Sequence, residues 1–241
     1  LFTSRRANRI VGFIAGASAG VPFSVYRSYH LGHHQYSCTP DDPEGTPYRF
    51  TSKLQFLLVP AGGPIFAGQF VWWTMQSMVG RPPRFVRSDR QRRAAVLDGL
   101  LCIAFYFAMV LLGLHSFDML LALWLAPWLV ALVVLEPFVL IPEHYGANSA
   151  NAESAMLTTR TVRSNPLVTW VYWHNNLHTA HHVAPGAVPQ RIGAMSAKLI
   201  EPNLTAEWCS SGYLAFYWGV IKRLPWLRGG RHAAAATSKS K

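Results

Sequence analysis

The chain has few charged residues, few acidic residues in particular, and few cysteines. Only 14% of its 241 residues are charged, and 22 Lys and Arg stand against 11 Asp and Glu. With 51% hydrophobic residues and nine Trp, this composition disfavours a water-soluble domain and favours an integral membrane protein. Cys38, Cys102 and Cys209 form no CxxC pair, which argues against a disulfide framework and a built-in rubredoxin-like site.

Two common metal-binding signatures are also missing. The chain contains neither the HExxH motif of zinc proteases nor the paired Glu with Glu-x-x-His pattern of soluble di-iron bundles. Histidine is present instead, in YHLGHHQY, PEHYG and WHNNLHTAHH. Eight of the ten histidines lie in these three segments: His30, His33, His34, His144, His174, His178, His181 and His182. His115 and His232 stand alone and are interpreted as surface residues.

The histidine spacings are those of helix faces that present several imidazoles to one point. Residues at i, i+3 and i+4 share a face, so we expect His30, His33 and His34 to lie together. The last group should form one longer helical row that starts at His174. A single zinc site takes about four ligands, so this number of candidates suits two metal ions. Imidazole binds iron, copper, zinc and nickel, and spacing alone does not choose among them.

Two apolar runs, at residues 96–114 and 119–141, predict transmembrane helices. Each has about the 20 residues needed to cross ~30 Å of hydrocarbon, and the short HSFD turn between them predicts an antiparallel pair. Glu136 lies within the second run. A carboxylate there either lines a functional cavity or is a protonated or paired structural residue, and both interpretations stay open.

Other segments extend the predicted membrane domain. Residues 54–79, broken by PAGGP, are interpreted as a re-entrant or interfacial hairpin, and residues 10–25 as the outgoing half of another membrane segment. Six arginines within residues 81–93 place that loop in the cytoplasm by the positive-inside rule, and both HxxHH groups with it. Residues 204–227 predict an interfacial amphipathic helix, and residues 229–241 a disordered basic tail.

Three long motifs resemble those of one family. YHLGHHQY followed by DDPE, PEHYG after a hydrophobic hairpin, and RTVRSNPLVTWVYWHNNLHTAHHVAPGAVP resemble the membrane fatty acid desaturase superfamily over nearly the whole chain. That superfamily includes acyl desaturases, related hydroxylases and carotenoid ketolases. The resemblance implies an all-α integral membrane domain over residues 1–228, in which transmembrane hairpins carry a cytoplasmic histidine-rich helical cap. It also implies two iron ions (Fe2+/Fe3+), activation of O2, and attack on an unactivated C–H bond of a lipid.

Carried over position by position, the resemblance assigns the metal ligands. The second and third histidine boxes match at His30, His33, His34, His178, His181 and His182. His144 resembles an additional histidine that follows the second transmembrane hairpin of acyl-CoA desaturases. His174 stands where related sequences often have Asn, so a metal ligand, a water-mediated contact and an orienting residue all stay open. Hydrogen bonds that orient imidazoles are expected from Asp42, Glu143, Asn175 and Asn176, and also from Asp41.

The expected function is O2-dependent desaturation of a lipid acyl chain, with hydroxylation or ketolation as the alternative. A separate electron donor, such as ferredoxin or cytochrome b5, would supply the electrons. The net charge of +11 suits anionic membrane lipids and an acidic electron-transfer partner, and does not require nucleic acid. A non-catalytic metal-binding or metal-transport membrane protein is the alternative from another class.

One part of the family pattern is missing. The first box, His-x-x-x-His, is absent, and LFTSRRANRIVGF resembles the sequence that follows that box. Because the chain begins with a leucine, we expect an N-terminally incomplete sequence. A natural variant that lacks these two ligands is the alternative, and it would put iron binding in doubt.

Overall fold

The computed structural model describes residues 2–45, 48–148, 150 and 152–227, without the side chains of residues 134–137. This part of the chain is mostly helical, which confirms the predicted all-α class. The helices are α1 (Arg5–Ala19), α2 (Phe23–Tyr36), α3 (Lys53–Leu57), α4 (Gly62–Met78), α5 (Asp89–His115), α6 (Phe117–His144), α7 (Ala155–Thr158), α8 (Pro166–Val171), α9 (His178–Val183), α10 (Pro189–Met195) and α11 (Tyr213–Ile221). Two short strands, β1 (Thr161–Val162) and β2 (Cys209–Ser210), pair in parallel.

The helices α5 and α6 are long and apolar enough to cross a membrane, which confirms the two predicted spans. α5 begins at a capping box, in which the Ser88 hydroxyl accepts from the Gln91 backbone while the Gln91 side chain accepts from the Ser88 backbone. Large apolar side chains on both helices, such as Ile103, Phe107 and Leu123, are more than half exposed. Exposed apolar surface of this extent suits contact with lipid rather than with water.

Residues 10–25 do not form one continuous helix: the membrane segment predicted there is interrupted by a break between two helices that together are apolar enough to cross a membrane. α1 ends at Ala19, Gly20 takes a left-handed φ of 78°, and α2 starts after Pro22. The two helix axes differ by 96°. A glycine that ends one helix and a proline that precedes the next explain this break.

The PAGGP sequence does not form the turn of a hairpin, which corrects the prediction for residues 54–79. A 3-10 turn covers Val59–Ala61, and Gly62, Gly63 and Pro64 are already the first residues of α4. Pro64 is tolerated there because the first N–H groups of a helix have no intrahelical partner. Gly63 allows close packing instead, since a Cβ at this position would lie 1.7 Å from the carbonyl oxygen of Leu132.

A small core joins α2 to α4 and α5. It consists of Val25 and Tyr29 from α2, Phe70 from α4 and Ala95 from α5, all buried. Burial of these side chains stabilises the position of α2 beside the spanning helix α5.

The C-terminal segment is less helical than predicted. Residues 204–227 contain strand β2 and only the nine-residue helix α11. α11 packs against the end of α6, where the Tyr217 hydroxyl donates to the Phe138 carbonyl at 2.7 Å. The predicted disordered tail at residues 229–241 lies outside the described residues.

Candidate metal centre

Histidines from three distant parts of the chain converge at one place. α2 supplies three of them, the last residue of α6 supplies one, and α9 supplies three. They form two neighbouring groups, in each of which the candidate ligand atoms lie within 4.8 Å of one another. The first group is His33, His144, His178 and His182, and the second is His30, His34 and His181.

In the first group, the Nε2 atoms point at one another. Nε2 of His33 lies 3.1 Å from Nε2 of His144 and 3.2 Å from Nε2 of His182. Nε2 of His178 lies 3.1 Å from Nε2 of His144. Two nitrogens that are each about 2.1 Å from one metal ion, at roughly right angles, are about 3 Å apart. The spacing is therefore that of ligands on a common ion.

The second group repeats this arrangement. Nε2 of His34 lies 3.1 Å from Nε2 of His30 and 3.0 Å from Nε2 of His181. The His30 and His181 Nε2 atoms are 3.3 Å apart. The ring centroids of His34 and His182, one from each group, are separated by 4.3 Å. The seven imidazoles thus form two adjacent sets, one of four nitrogens and one of three.

Hydrogen bonds on the outer side of two rings determine which nitrogen faces inward. Nδ1 of His144 donates to the carbonyl oxygen of Thr158 at 2.8 Å, and Nδ1 of His33 donates to the carboxylate of Asp42 at 2.9 Å. A carbonyl and a carboxylate only accept, so the hydrogen of each neutral ring lies on Nδ1 and the Nε2 lone pair faces the other ring. Two lone pairs at this distance repel each other unless a cation lies among them.

Asp42 is held firmly by the turn that follows α2. Its carboxylate accepts the backbone N–H groups of Cys38 at 2.8 Å and of Glu44 at 2.9 Å. Burial lowers the pKa of His33, but the hydrogen bond to Asp42 and the charges of Glu44 and Asp42 raise it above its ordinary value overall. Asp42 makes the type of contact through which it is predicted to orient an imidazole.

Glu143 lies beside the first group, next to His178. Its Oε1 is 3.5 Å from Nδ1 of His178 and accepts a hydrogen bond from Asn175 at 3.0 Å. Asn175 is therefore linked to an imidazole through Glu143. Asn176 differs, because it donates to the carbonyl of Val162 at 2.9 Å and so stabilises the backbone of β1. Asp41 is exposed at the surface.

Burial keeps the histidines of α9 neutral. It lowers the pKa of His178 and of His182 far below the ordinary value, and that of His181 to about 4, with neighbouring imidazoles adding to each shift. Neutral imidazole is the form that binds a metal ion. Sets of four and three converging nitrogens fit two ions that accept nitrogen ligands, iron among them, and leave coordination positions open.

The segment between α7 and β1 joins the end of α6 to α9. The Thr159 carbonyl accepts from the Thr179 hydroxyl at 3.2 Å, and the Arg160 N–H donates to the Glu143 carbonyl at 2.7 Å. The carbonyl that holds His144 belongs to Thr158, the last residue of α7, directly before this segment. These contacts could not be predicted, because backbone contacts between distant segments have no signature in sequence.

Arg160 holds the end of α6 in place. Its buried guanidinium donates to the carbonyls of Pro142 at 3.2 Å and Tyr145 at 3.3 Å, and also to that of Glu207. Two aromatic rings lie within 5.2 Å of the guanidinium carbon. A cation that binds carbonyls at a helix C-terminus is stabilising, and this one binds Pro142 and Tyr145, on either side of His144.

His174 belongs to neither group. α9 begins only at His178, and Trp173 and His174 have left-handed φ values of 53° and 64°. The predicted single helical row is therefore wrong at its first member. Nδ1 of His174 is buried without a hydrogen-bond partner among the described residues, and a Cβ at Gly193 would lie 3.1 Å from it.

Two acidic residues lie within the apolar runs at residues 96–114 and 119–141, Asp98 and Glu136, and the structure describes the side chain of only the first. The side chain of Glu136 lies outside the described residues, so both interpretations of it stay open. Asp98 in α5 is buried and was not singled out from the sequence. Its signal was nevertheless present, because an acidic residue in an apolar run suggests a functional role.

Comparison with known proteins agrees with this geometry. A family model described as fatty acid desaturase matches residues 1–208, a range that includes all seven converging histidines. No curated protein and no solved structure matches the chain. Because the family match covers most of the chain, the protein belongs to the fatty acid desaturase family.

Proposed function

We propose that this protein is a membrane-bound oxidoreductase that introduces a double bond into a lipid acyl chain, using O2 and electrons from a separate donor. The observation that carries the proposal is the convergence of seven buried or half-buried imidazoles into two adjacent groups at the ends of apolar helices. Family membership supplies the reaction class, and the geometry supplies the place where it would occur.

Two adjacent cavities suit an acyl substrate. One, of about 300 Å³, borders His33 and His144, and a second, of about 360 Å³, extends away from them to Leu58 and Val59. The cavities share the lining residues Tyr48, Phe66, Leu140 and Ile141. Mainly apolar walls of this kind hold a hydrocarbon chain and exclude water, so the path suits a lipid tail that enters from the membrane.

The side chains themselves do the binding and orienting. The histidines would hold two iron ions, which supply what no side chain can, the reductive activation of O2 and removal of hydrogen from an unactivated C–H bond. Asp42 and the Thr158 carbonyl keep the Nε2 lone pairs of His33 and His144 directed inward. Phe66 limits how the acyl chain lies in the cavity, and this placement selects which of its C–H bonds face the histidines.

The placement of the acyl chain also determines whether desaturation or the alternative reaction occurs. Loss of two hydrogen atoms from neighbouring carbons gives a double bond, whereas return of oxygen to the first carbon gives a hydroxyl group and, after further oxidation, a ketone. A hydroxylase or carotenoid ketolase of the same family is therefore the second candidate. A non-catalytic metal carrier is less well supported, because a carrier needs ligands along a path through the membrane.

A separate protein would supply the electrons, and the membrane would supply the lipids. We assign the electrons to a partner such as ferredoxin or cytochrome b5, since the three cysteines are free. The arginine-rich segment before and at the start of α5 suits the anionic lipids of a cytoplasmic membrane face, and the histidines are proposed to lie on that face.

The test is lipid profiling of a host that expresses the full-length gene under isotopically labelled O2. Desaturation predicts a new lipid that has lost two hydrogen atoms and carries no labelled oxygen. A labelled hydroxyl or keto product would favour the second candidate. An unchanged lipid profile, with metal bound, would favour the metal-binding alternative.

A further inference from the structure

Asp98 makes an unusual contact for a carboxylate in a membrane-spanning helix. It is only 2% exposed, and its Oδ2 accepts the backbone N–H of Ser24 at 2.8 Å. Ser24 is the second residue of α2, the helix that supplies three of the converging histidines. A buried carboxylate of α5 thus binds the first turn of a different helix.

The N-terminus of α2 has no cap of its own. Its N-cap position is Pro22, whose side chain makes no capping hydrogen bond, and its first turn contains no acidic residue. The first N–H groups of a helix lack intrahelical acceptors, and the helix dipole favours negative charge at that end. Asp98 supplies both the missing acceptor and the missing charge, from a neighbouring helix.

α2 does not continue the axis of the helix that precedes it. α1 and α2 meet at a 96° break, so the position of α2 depends on side-by-side packing, including that with α4 and α5. The packing of Val25 and Ala95 resists sideways movement. Sliding along the helix axis is resisted by a directional bond at its end, and Asp98 provides that bond.

A shift of α2 along its axis would displace its histidines by the same distance. His33 follows Ser24 by nine residues, about 13.5 Å along a helix that moves as a rigid rod. α2 contributes His33 to the first group and His30 and His34 to the second. One displacement would therefore disturb the nitrogen spacing in both groups at once.

We propose that Asp98 is a positioning residue for the metal centre: by capping α2 from α5, its carboxylate sets the axial position of the three α2 histidines. The inference rests on the assignment of the two histidine groups as metal sites. It concerns how the ligands are held, not which reaction they support, so it does not depend on the choice between desaturation and hydroxylation.

The experiment uses the full-length protein in detergent or nanodiscs, with Co2+ as the probe because its optical bands report the ligand arrangement. Asp98→Leu removes the acceptor, and Asp98→Asn keeps an acceptor oxygen while removing the charge. Asp89→Asn is the matched control, since Asp89 lies on the same helix with its side chain 80% exposed. Co2+ affinity, the optical bands and amide hydrogen exchange of α2 are measured for each.

For Asp98→Leu we expect about 10-fold weaker Co2+ binding and altered bands, and about fivefold faster exchange in the first turn of α2, as for a lost helix cap. Asp98→Asn should recover most of the affinity, and Asp89→Asn should match the wild type. A role in folding alone would lower the thermal midpoint but leave the affinity and the bands of the folded protein unchanged. That result would overturn the proposal.

The wild-type protein provides a test that does not depend on any variant folding. The Ser24 amide hydrogen should exchange slowly, because Asp98 accepts it, and exchange as fast as that of an unprotected amide would exclude the cap. If the wild-type protein binds no Co2+, the metal assignment fails and the inference fails with it. Normal wild-type binding with an unaffected Asp98→Leu variant removes only the inference.

Discussion

Nε2 of His33 lies 3.1 Å from Nε2 of His144, 111 positions away, whereas His34, its neighbour in the chain, belongs to the other group. Helix geometry explains the division. At 3.6 residues per turn, His30 and His34 point about 40° apart, while His33 and His34 diverge by about 100°. α9 divides its three histidines in the same way, so each of the two helices serves both candidate metal positions.

This division predicts separable effects on metal binding. His33→Ala should remove one ion by weakening the first group, and His181→Ala should do so by weakening the second, so each variant should retain roughly half of the metal. Metal analysis of the purified full-length protein measures this. His115→Ala, at the exposed end of α5, is the control and should bind as the wild type does. Full metal content in the His181 variant would contradict the assignment.

Asp42 should matter more than its neighbour Asp41. Asp42→Asn keeps an acceptor for His33 but removes the negative charge, and loss of such an outer contact typically lowers metal affinity by about 10- to 100-fold. Asp41→Asn should leave the affinity unchanged because Asp41 is exposed. The comparison requires only a metal titration, and equal affinities for the two variants would show that Asp42 does not orient the ring.

His174 should be dispensable for metal binding. His174→Asn should keep the metal content, because the ring belongs to neither group and Asn tolerates a left-handed φ. His174→Val should lower the free energy of unfolding by about 1–3 kcal/mol, because a β-branched residue is strained there. Metal content and chemical unfolding of both variants check this. Loss of metal from the Asn variant would restore His174 as a ligand candidate.

Arg160 should be needed for its shape as well as its charge. Lysine cannot reach the three carbonyls that the guanidinium binds, so Arg160→Lys should lower the free energy of unfolding by roughly 2 kcal/mol and weaken metal binding through His144. Arg163→Lys is the control, because Arg163 is exposed and its ion pair with Glu201 lies at the surface, where such pairs contribute little. Equal stability of the two variants would argue against the role given to Arg160.

Membrane orientation can be tested with single-cysteine reporters in a background without the native cysteines. Asp41→Cys and Arg90→Cys should both react with an impermeant reagent from the cytoplasmic side, and Asp118→Cys, in the first turn of α6, from the opposite side. The reason is that α5 and α6 together cross twice, so Arg90 and His144 lie on one face. His144 contacts His33, which binds Asp42 next to Asp41. Labelling of the Asp41 and Arg90 positions from different sides would exclude this orientation.

Several features follow from the sequence alone. The two spanning helices were predictable because hydrocarbon thickness fixes the length of an apolar run. Six of the seven histidines were predictable as candidates because helical spacing is a local property, and His144 was predictable from the family resemblance. The wrong predictions were also local. The helix of the third histidine group was expected to start at His174, where the backbone is left-handed. Gly63 was expected in a turn, although it allows close packing against Leu132.

The tertiary structure alone decided which histidines act together. The sequence suggests two boxes that each gather at one point, but the groups take members from both boxes and add His144 to one of them. It also decided which residues hold them: Asp98 binds the start of α2 and Arg160 the end of α6, through backbone groups that every sequence has. Such partners depend on how helices far apart in the chain dock against each other, and spacing within a single helix carries no information about that docking.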